Sequence, residues 1–200
     1  MQKPEGYDQA QAMGDFVPID LGGHYAKIIK VEETQSEKGK DMIIVGYDFC
    51  DPDKQAGYFQ RAYSNDDRDD KKWPYAGRKY IMVNDYQDPK KTSRSFKTFC
   101  TCVEKSNGME IKWGVNNWGA QFAGKKVGVV FGEEESEYDG KVTMRRLPRY
   151  FCKTESVSEV SIPNPKYLDG NAGPRQQAPV QQTDDGFMNI PEGADEEIPF

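Results

Sequence analysis

Residues 93–108 read SRSFKTFCTCVEKSNG, and the fold turns on them. Phe96, Phe99, Cys100 and Val103 recur at i, i+3, i+4 and i+7, the spacing of one apolar helix face. Ser93 or Ser95 can cap the start, and Asn107-Gly108 supplies a left-handed stop. This is the one stretch of strong helical period, and strand patterns flank it on both sides.

Upstream, HYAKIIKVEET (24–34) is β-branched and partly alternating. SEKGKD forms a turn, and DMIIVGYDF (41–49) puts Ile43, Val45, Tyr47 and Phe49 on one face. The two runs make a hairpin. GYFQRAYS (57–64) alternates as a third strand, and RKYIMVND (78–85) reads as a short extra one. Downstream, KKVGVVFGEEE places Val127, Val129 and Phe131 on one side. GKVTMRRLPRYF (140–151) follows an Asp139-Gly140 turn. The expected fold class is mainly β: an OB-fold-like five-stranded barrel with one helix between strands 3 and 4.

The chain has 200 residues and a net charge of −6. No apolar run approaches a membrane span, and the N-terminus lacks an apolar signal core. A cytoplasmic protein is the resulting expectation. Cys50, Cys100, Cys102 and Cys152 form no C-x-x-C pair, and His24 is the only histidine. That pattern argues against zinc and against a disulfide framework; reduced, mostly buried thiols are expected. From Gln176 to Phe200 there are six acids (Asp184, Asp185, Glu192, Asp195, Glu196, Glu197) and no Lys or Arg. Removing those six from 33 acids leaves 27 in residues 1–175, against 27 bases. The body is neutral, and the acidic excess sits in the tail.

Composition divides the chain into a flexible N-terminal segment (1–15), a folded, OB-fold-like domain (16–157), a flexible linker (158–183) and a disordered acidic tail (184–200). The linker is rich in Pro, Gly, Gln and Asn and cannot bury enough surface to offset its ordering entropy.

KKWPYAGRKY (71–80) interleaves Lys71, Lys72, Arg78 and Lys79 with Trp73, Tyr75 and Tyr80, and contains no acid. Single-stranded nucleic acid needs this mixture: cations follow the phosphates and flat rings stack on unpaired bases. The alternative is a loop anchored by Trp73-Pro74 with its lysines in solvent. Arg145, Arg146 and Arg149 on the last strand suit a phosphate track, extended by Lys125 and Lys126. Solvated edge charges that prevent strand pairing are the competing reading. Trp113 is a candidate stacking platform, and so is Trp118; either could instead plug the barrel end. Glu133, Glu134 and Glu135 raise a metal-dependent nuclease. Metal catalysis, however, needs oxygen ligands converging from separate elements, and a contiguous hairpin run is more often a solvated turn. No catalytic residue, cofactor or metal is assigned, so no enzyme is expected.

The chain closes on Asp195, Glu196, Glu197, Ile198, Pro199 and Phe200. Acids would be steered to a basic surface, and Phe200 could enter an apolar pocket with its α-carboxylate beside a cation. This ending resembles the acidic tip of bacterial and phage single-stranded DNA-binding proteins, and GNAGPRQQAPVQQ matches their linker composition. GHYAKIIKVEETQSEKGKDMIIVGYDF and FAGKKVGVVFGEEE look more like small phage proteins from replication gene clusters. The resemblance implies an OB-fold body that coats single-stranded DNA without sequence preference in a bacterial host cell. It also implies a tip that docks replication, recombination and repair proteins. Homo-oligomerisation stays open. The rival readings are a protein-interaction adaptor lacking DNA binding and the nuclease.

Overall fold

The computed structural model describes residues 2–4 and 17–168. The acidic tail, its tip Asp195–Phe200, the linker beyond Leu168 and most of the N-terminal segment lie outside the described residues.

Five strands form one antiparallel sheet: β1 (Gly22–Gln35), β2 (Asp41–Phe49), β3 (Arg78–Met82), β4 (Lys126–Tyr138) and β5 (Lys141–Cys152). Their spatial order is β3-β2-β1-β4-β5. β1 serves two partners. Its first half pairs with β4 from Gly22↔Phe131 to Lys27↔Lys126, and from Ala26 onward it pairs with β2. A bulge between Ile28 and Lys30 bends it where the partnership changes.

Helix α2 (Arg94–Asn107) stands between β3 and β4, as its periodicity predicts. Ser93 accepts from the Phe96 amide at 3.1 Å, and Gly108 closes the helix at φ 58°. Phe96, Phe99, Cys100 and Val103 are all buried, joined by Cys102. Asn107 then clips the helix end to β4, receiving the Lys126 amide at 2.9 Å and donating to its carbonyl at 2.8 Å. The predicted β2 face is also confirmed: Ile43, Val45, Tyr47 and Phe49 point inward and are at most 2% exposed. The Asp139-Gly140 turn has both residues at positive φ, the two-residue connection that suits strand twist. All four cysteines are free, and burial pushes the Cys100 thiol up to about 12 and Cys152 to about 11.

Two expectations are corrected. Residues 57–64 do not form a strand: Tyr58–Ser64 is a short helix, α1. Its second and third amides, Phe59 and Gln60, donate to the Asp48 carboxylate at 2.9 and 3.2 Å. The start of α1 is thus capped from β2, by a residue outside the local window. Only Phe59 of this helix is buried. The sheet is also not a closed barrel. β3 and β5 are its two edges, because β3 is only five residues long and no ladder joins it to β5. Aromatic packing fills the gap instead. Phe59 meets Tyr47 and Phe49 at ring distances of 5.8 and 5.0 Å, and Tyr47 meets Phe151 at 5.9 Å. Such pairs contribute about 0.5–1.5 kcal/mol each beyond their buried area.

Residues 154–168, including the first part of the predicted linker, lie over the start of β1, the middle of β4 and the end of β5. Val157 and Val160 pack on Tyr25, Val130 and Cys152. The strap can lie close because the sheet is bare at Gly23 and Gly128. A Cβ on Gly23 would stand 2.3 Å from the Val157 carbonyl oxygen, and one on Gly128 would stand 2.7 Å from Val157. The strap ends by pairing with β4 beyond the end of β1. Lys166 donates its amide to the Glu133 carbonyl at 3.0 Å and accepts from the Glu135 amide at 2.8 Å.

His24 forms a buried ion pair at this same, N-terminal end of β1. Its Nδ1 lies 3.1 Å from an Asp53 carboxylate oxygen, and its Nε2 lies 2.9 Å from the Asp20 carbonyl. Both neighbours are acceptors, an arrangement that favours the imidazolium form, in which both ring nitrogens donate. It stacks on Phe49 at 4.2 Å. Burial alone would lower the His24 pKa, but the hydrogen bonds to Asp53 and Asp20 outweigh it and raise it above 6.5. Burial likewise pushes Asp53 up, yet donors from His24, Gln55 and Tyr25 bring its carboxyl below 3.8.

Two outcomes follow from this packing. The His24 contribution is full below pH 6.5 and is lost as pH rises through the raised value. Thermal midpoints should therefore fall across that interval in the native chain and stay level in His24→Gln. A Gly23→Ala exchange should lower stability by about 1–3 kcal/mol, as overpacking does, and should expose residues 154–168 to limited proteolysis.

Candidate nucleic-acid interface

The strap crosses only the start of β1, so the outer face of β3, β2 and the bulged half of β1 remains open. Alternation sets what it carries. On β2 and β3, Val45 pairs with Lys79 and Ile43 with Ile81, so these point inward. Gly46 with Arg78 and Ile44 with Tyr80 therefore point out. Across the next ladder, Lys30 lies opposite Gly46 and Glu32 opposite Ile44.

Tyr75 precedes β3 in a single 3₁₀ turn and is 46% exposed. Its ring lies 6.2 Å from that of Tyr80, tilted by 31°. Arg78 is half-buried between them in sequence, with its Nε buried and without a hydrogen-bond partner among the described residues. Ile29, in the β1 bulge, is 42% exposed beside Lys30. At the far end, Lys40 places its ammonium 4.0 Å from the centre of the exposed Tyr86 ring. The face thus carries two adjacent tyrosines, an arginine, lysines and apolar contacts. One acid, Glu32, is held by Lys30 at 2.5 Å.

The predicted stretch 71–80 divides by this geometry. Lys72 and Tyr75 are exposed and Arg78 is half-buried on the open face. Trp73 turns inward, donating its indole N–H to the carbonyls of Tyr47 at 3.2 Å and Gly77 at 3.1 Å. Lys71 sits over the Tyr63 ring at 5.1 Å and donates to the Asp66 carbonyl. Lys79, on the inner phase of β3, crosses the open edge and donates to the Pro148 carbonyl of β5 at 2.8 Å. Burial lowers its pKa, opposed by the nearby Glu134.

The arginines of β5 have neighbours of their own. Arg145 lies opposite Glu134 and Arg146 opposite Glu133, cross-strand pairs of opposite charge. Arg146 also donates to the Ile19 carbonyl, and Arg149 donates to the Glu133 carbonyl at 3.1 Å and to that of Asn164 at 3.4 Å. Lys126 is exposed and pairs in register with Lys27, whereas Lys125 is half-buried at the start of β4. Of these cations, Arg149 comes within electrostatic reach of Lys79, next to the Pro148 carbonyl that the Lys79 ammonium reaches. Trp113, 62% exposed, lies elsewhere again: it stacks on Trp118 at 5.4 Å, and Trp118 stacks on Phe96 of α2. Among the described residues no group of three or more His, Cys, Asp or Glu is placed to hold a metal. Glu134 instead pairs with Lys166, and Glu135 accepts the Leu168 amide at 3.2 Å.

Ile29, Lys30, Ile44 and Tyr86 are absent from the sequence-based site. The alternation of β1 held the signal for one of them, since Ile29 falls next to the inward Ile28 and one of the two must face out.

Topology and open face define a class: a mainly-β, OB-like domain with a surface available for nucleic acid or protein. The chain belongs to the family described as "Protein of unknown function (DUF669)", whose model matches residues 5–163. No curated protein matches the sequence. No helix among the described residues is long and apolar enough to cross a membrane.

The bond from Lys79 across the open edge makes a specific demand. Lys79→Ala should cost about 1–3 kcal/mol in a urea melt, the range for breaking a hydrogen bond to a charged group. An unchanged melt would show that this edge is held by the aromatics alone.

Proposed function

We propose that this chain is a phage-type, sequence-non-specific single-stranded DNA-binding protein that works in the bacterial host cytoplasm. The observation that carries the reading is the Tyr75–Tyr80 pair beside Arg78 on the open face of β2 and β3. OB-folds bind oligonucleotides on this face. Bases stack on the two rings, while Arg78, Lys30, Lys72 and Lys40 follow the phosphates. Stacking contributes about 1–3 kcal/mol per base and tolerates any sequence. The protein acts by binding: it protects single strands and performs no reaction.

The tail supplies the second half of the reading. Asp195, Glu196 and Glu197 bring Ile198-Pro199-Phe200 to a basic, apolar pocket on a replication, recombination or repair protein.

Titration of labelled oligo-dT is the direct test. Affinity should fall steeply as salt rises, because neutralised phosphates regain their counterions. Tyr75→Ala and Tyr80→Ala should each weaken binding by about 1–3 kcal/mol, and Arg78→Ala should flatten the salt dependence. Absence of binding at low salt would remove the proposal.

A further inference from the structure

A second site lies away from the open face. A cleft of about 330 Å³ opens between the far end of the β1–β2 hairpin, the chain after β3, the start of α2 and the 113–118 loop. Its wall is aromatic and apolar: Trp113, Trp118 and Phe96, with Met42, Val83 and Val115. Among the described residues its charged lining is purely acidic, from Glu33 and Asp41. Glu33 lies opposite Ile43 in the β1–β2 ladder, on the inward phase, so its carboxylate stands at the mouth of the core.

The aromatic wall is built in depth. Trp118 is 7% exposed and packs on Phe122 at 4.6 Å and on Phe96 at 5.9 Å. Trp113 lies over it, with rings 27° from parallel and most of its own surface in solvent. Val115 beside it is also exposed, at 43%.

This combination selects by charge. Two carboxylates repel a phosphodiester, so the cleft is poorly suited to the strand that the open face would hold. A cation on an apolar stem meets both requirements: its head is drawn to Glu33 and Asp41 and to the π face of tryptophan, and its methylenes cover the apolar wall. From this charge complementarity we infer that the Trp113 cleft docks a basic segment of a partner protein, through an arginine or lysine flanked by apolar residues. This surface belongs to the folded body and is separate in sequence from the acidic tip, although both would meet a basic partner.

The test uses the full chain and a short peptide alternating leucine and arginine, with its leucine–glutamate counterpart as control. The arginine peptide should change tryptophan emission saturably and the glutamate peptide should not. Trp113→Ala, and separately Glu33→Gln with Asp41→Asn, should each weaken the arginine peptide about tenfold or more, on the scale of one cation–π contact or one charge pair. The double carboxylate variant should keep its thermal midpoint and its oligo-dT affinity. Equal binding of both peptides, or none of the arginine peptide, would overturn the inference. So would oligo-dT that competes with the peptide and loses affinity in Trp113→Ala, since the cleft would then hold bases. Loss of oligo-dT binding with the peptide site intact would instead count against the open face alone.

Discussion

A sheet that curls without closing leaves two edges facing each other, and here those edges are β3 and β5. Backbone groups along such edges need partners, or they recruit other strands. One ammonium group and a set of rings meet this need. Lys79 starts on the inner phase of β3, beside Val45, and its stem runs through the core margin to the Pro148 carbonyl. Pro148 sits at the β4–β5 irregularity, where a residue without an amide proton costs the ladder nothing. Phe59, brought in by α1, and Tyr47 occupy the space behind. Tyr47 fixes the loop above them by donating to the Ala76 carbonyl at 2.8 Å. The same loop presents Tyr75, so the positions of the exposed rings follow from how the edge is sealed.

Sequence reading succeeded where the determinants were local. The β1–β2 hairpin, α2 with its two caps, and the Asp139-Gly140 turn were all visible in residue order. It failed where a distant group decided. Residues 57–64 alternate well enough for a strand, but the Asp48 carboxylate captures their amides and winds them into α1. Trp73 and Lys79 looked like contact residues because rings and cations in a polar stretch suggest a surface. Their true partners, the Tyr47, Gly77 and Pro148 carbonyls, lie up to 69 positions away. The phase of β3 did hold a clue, since Ile81 in the core places Lys79 on the same side. A charged residue on that side is easily assigned to solvent.

Charge on the body is organised by face rather than by amount. The β4–β5 ribbon matches glutamates with arginines across the ladder and is nearly self-compensated. The β2–β3 face has more cations than acids, and the Trp113 cleft has acids alone. A body with equal numbers of acids and bases can therefore present opposite potentials in different directions.

The glycines beneath the strap also bear on how this sequence can drift. At Gly23 and Gly128 even one methyl group would strike the covering chain, and at Gly132 it would press on Arg149 and Pro163. Elsewhere on the exterior many side chains are interchangeable, but along this line the bare backbone is the fitted surface. Divergent kin that retain the covering segment should therefore keep three hydrogens where other sheets vary freely, and kin that lose it should fill those positions first.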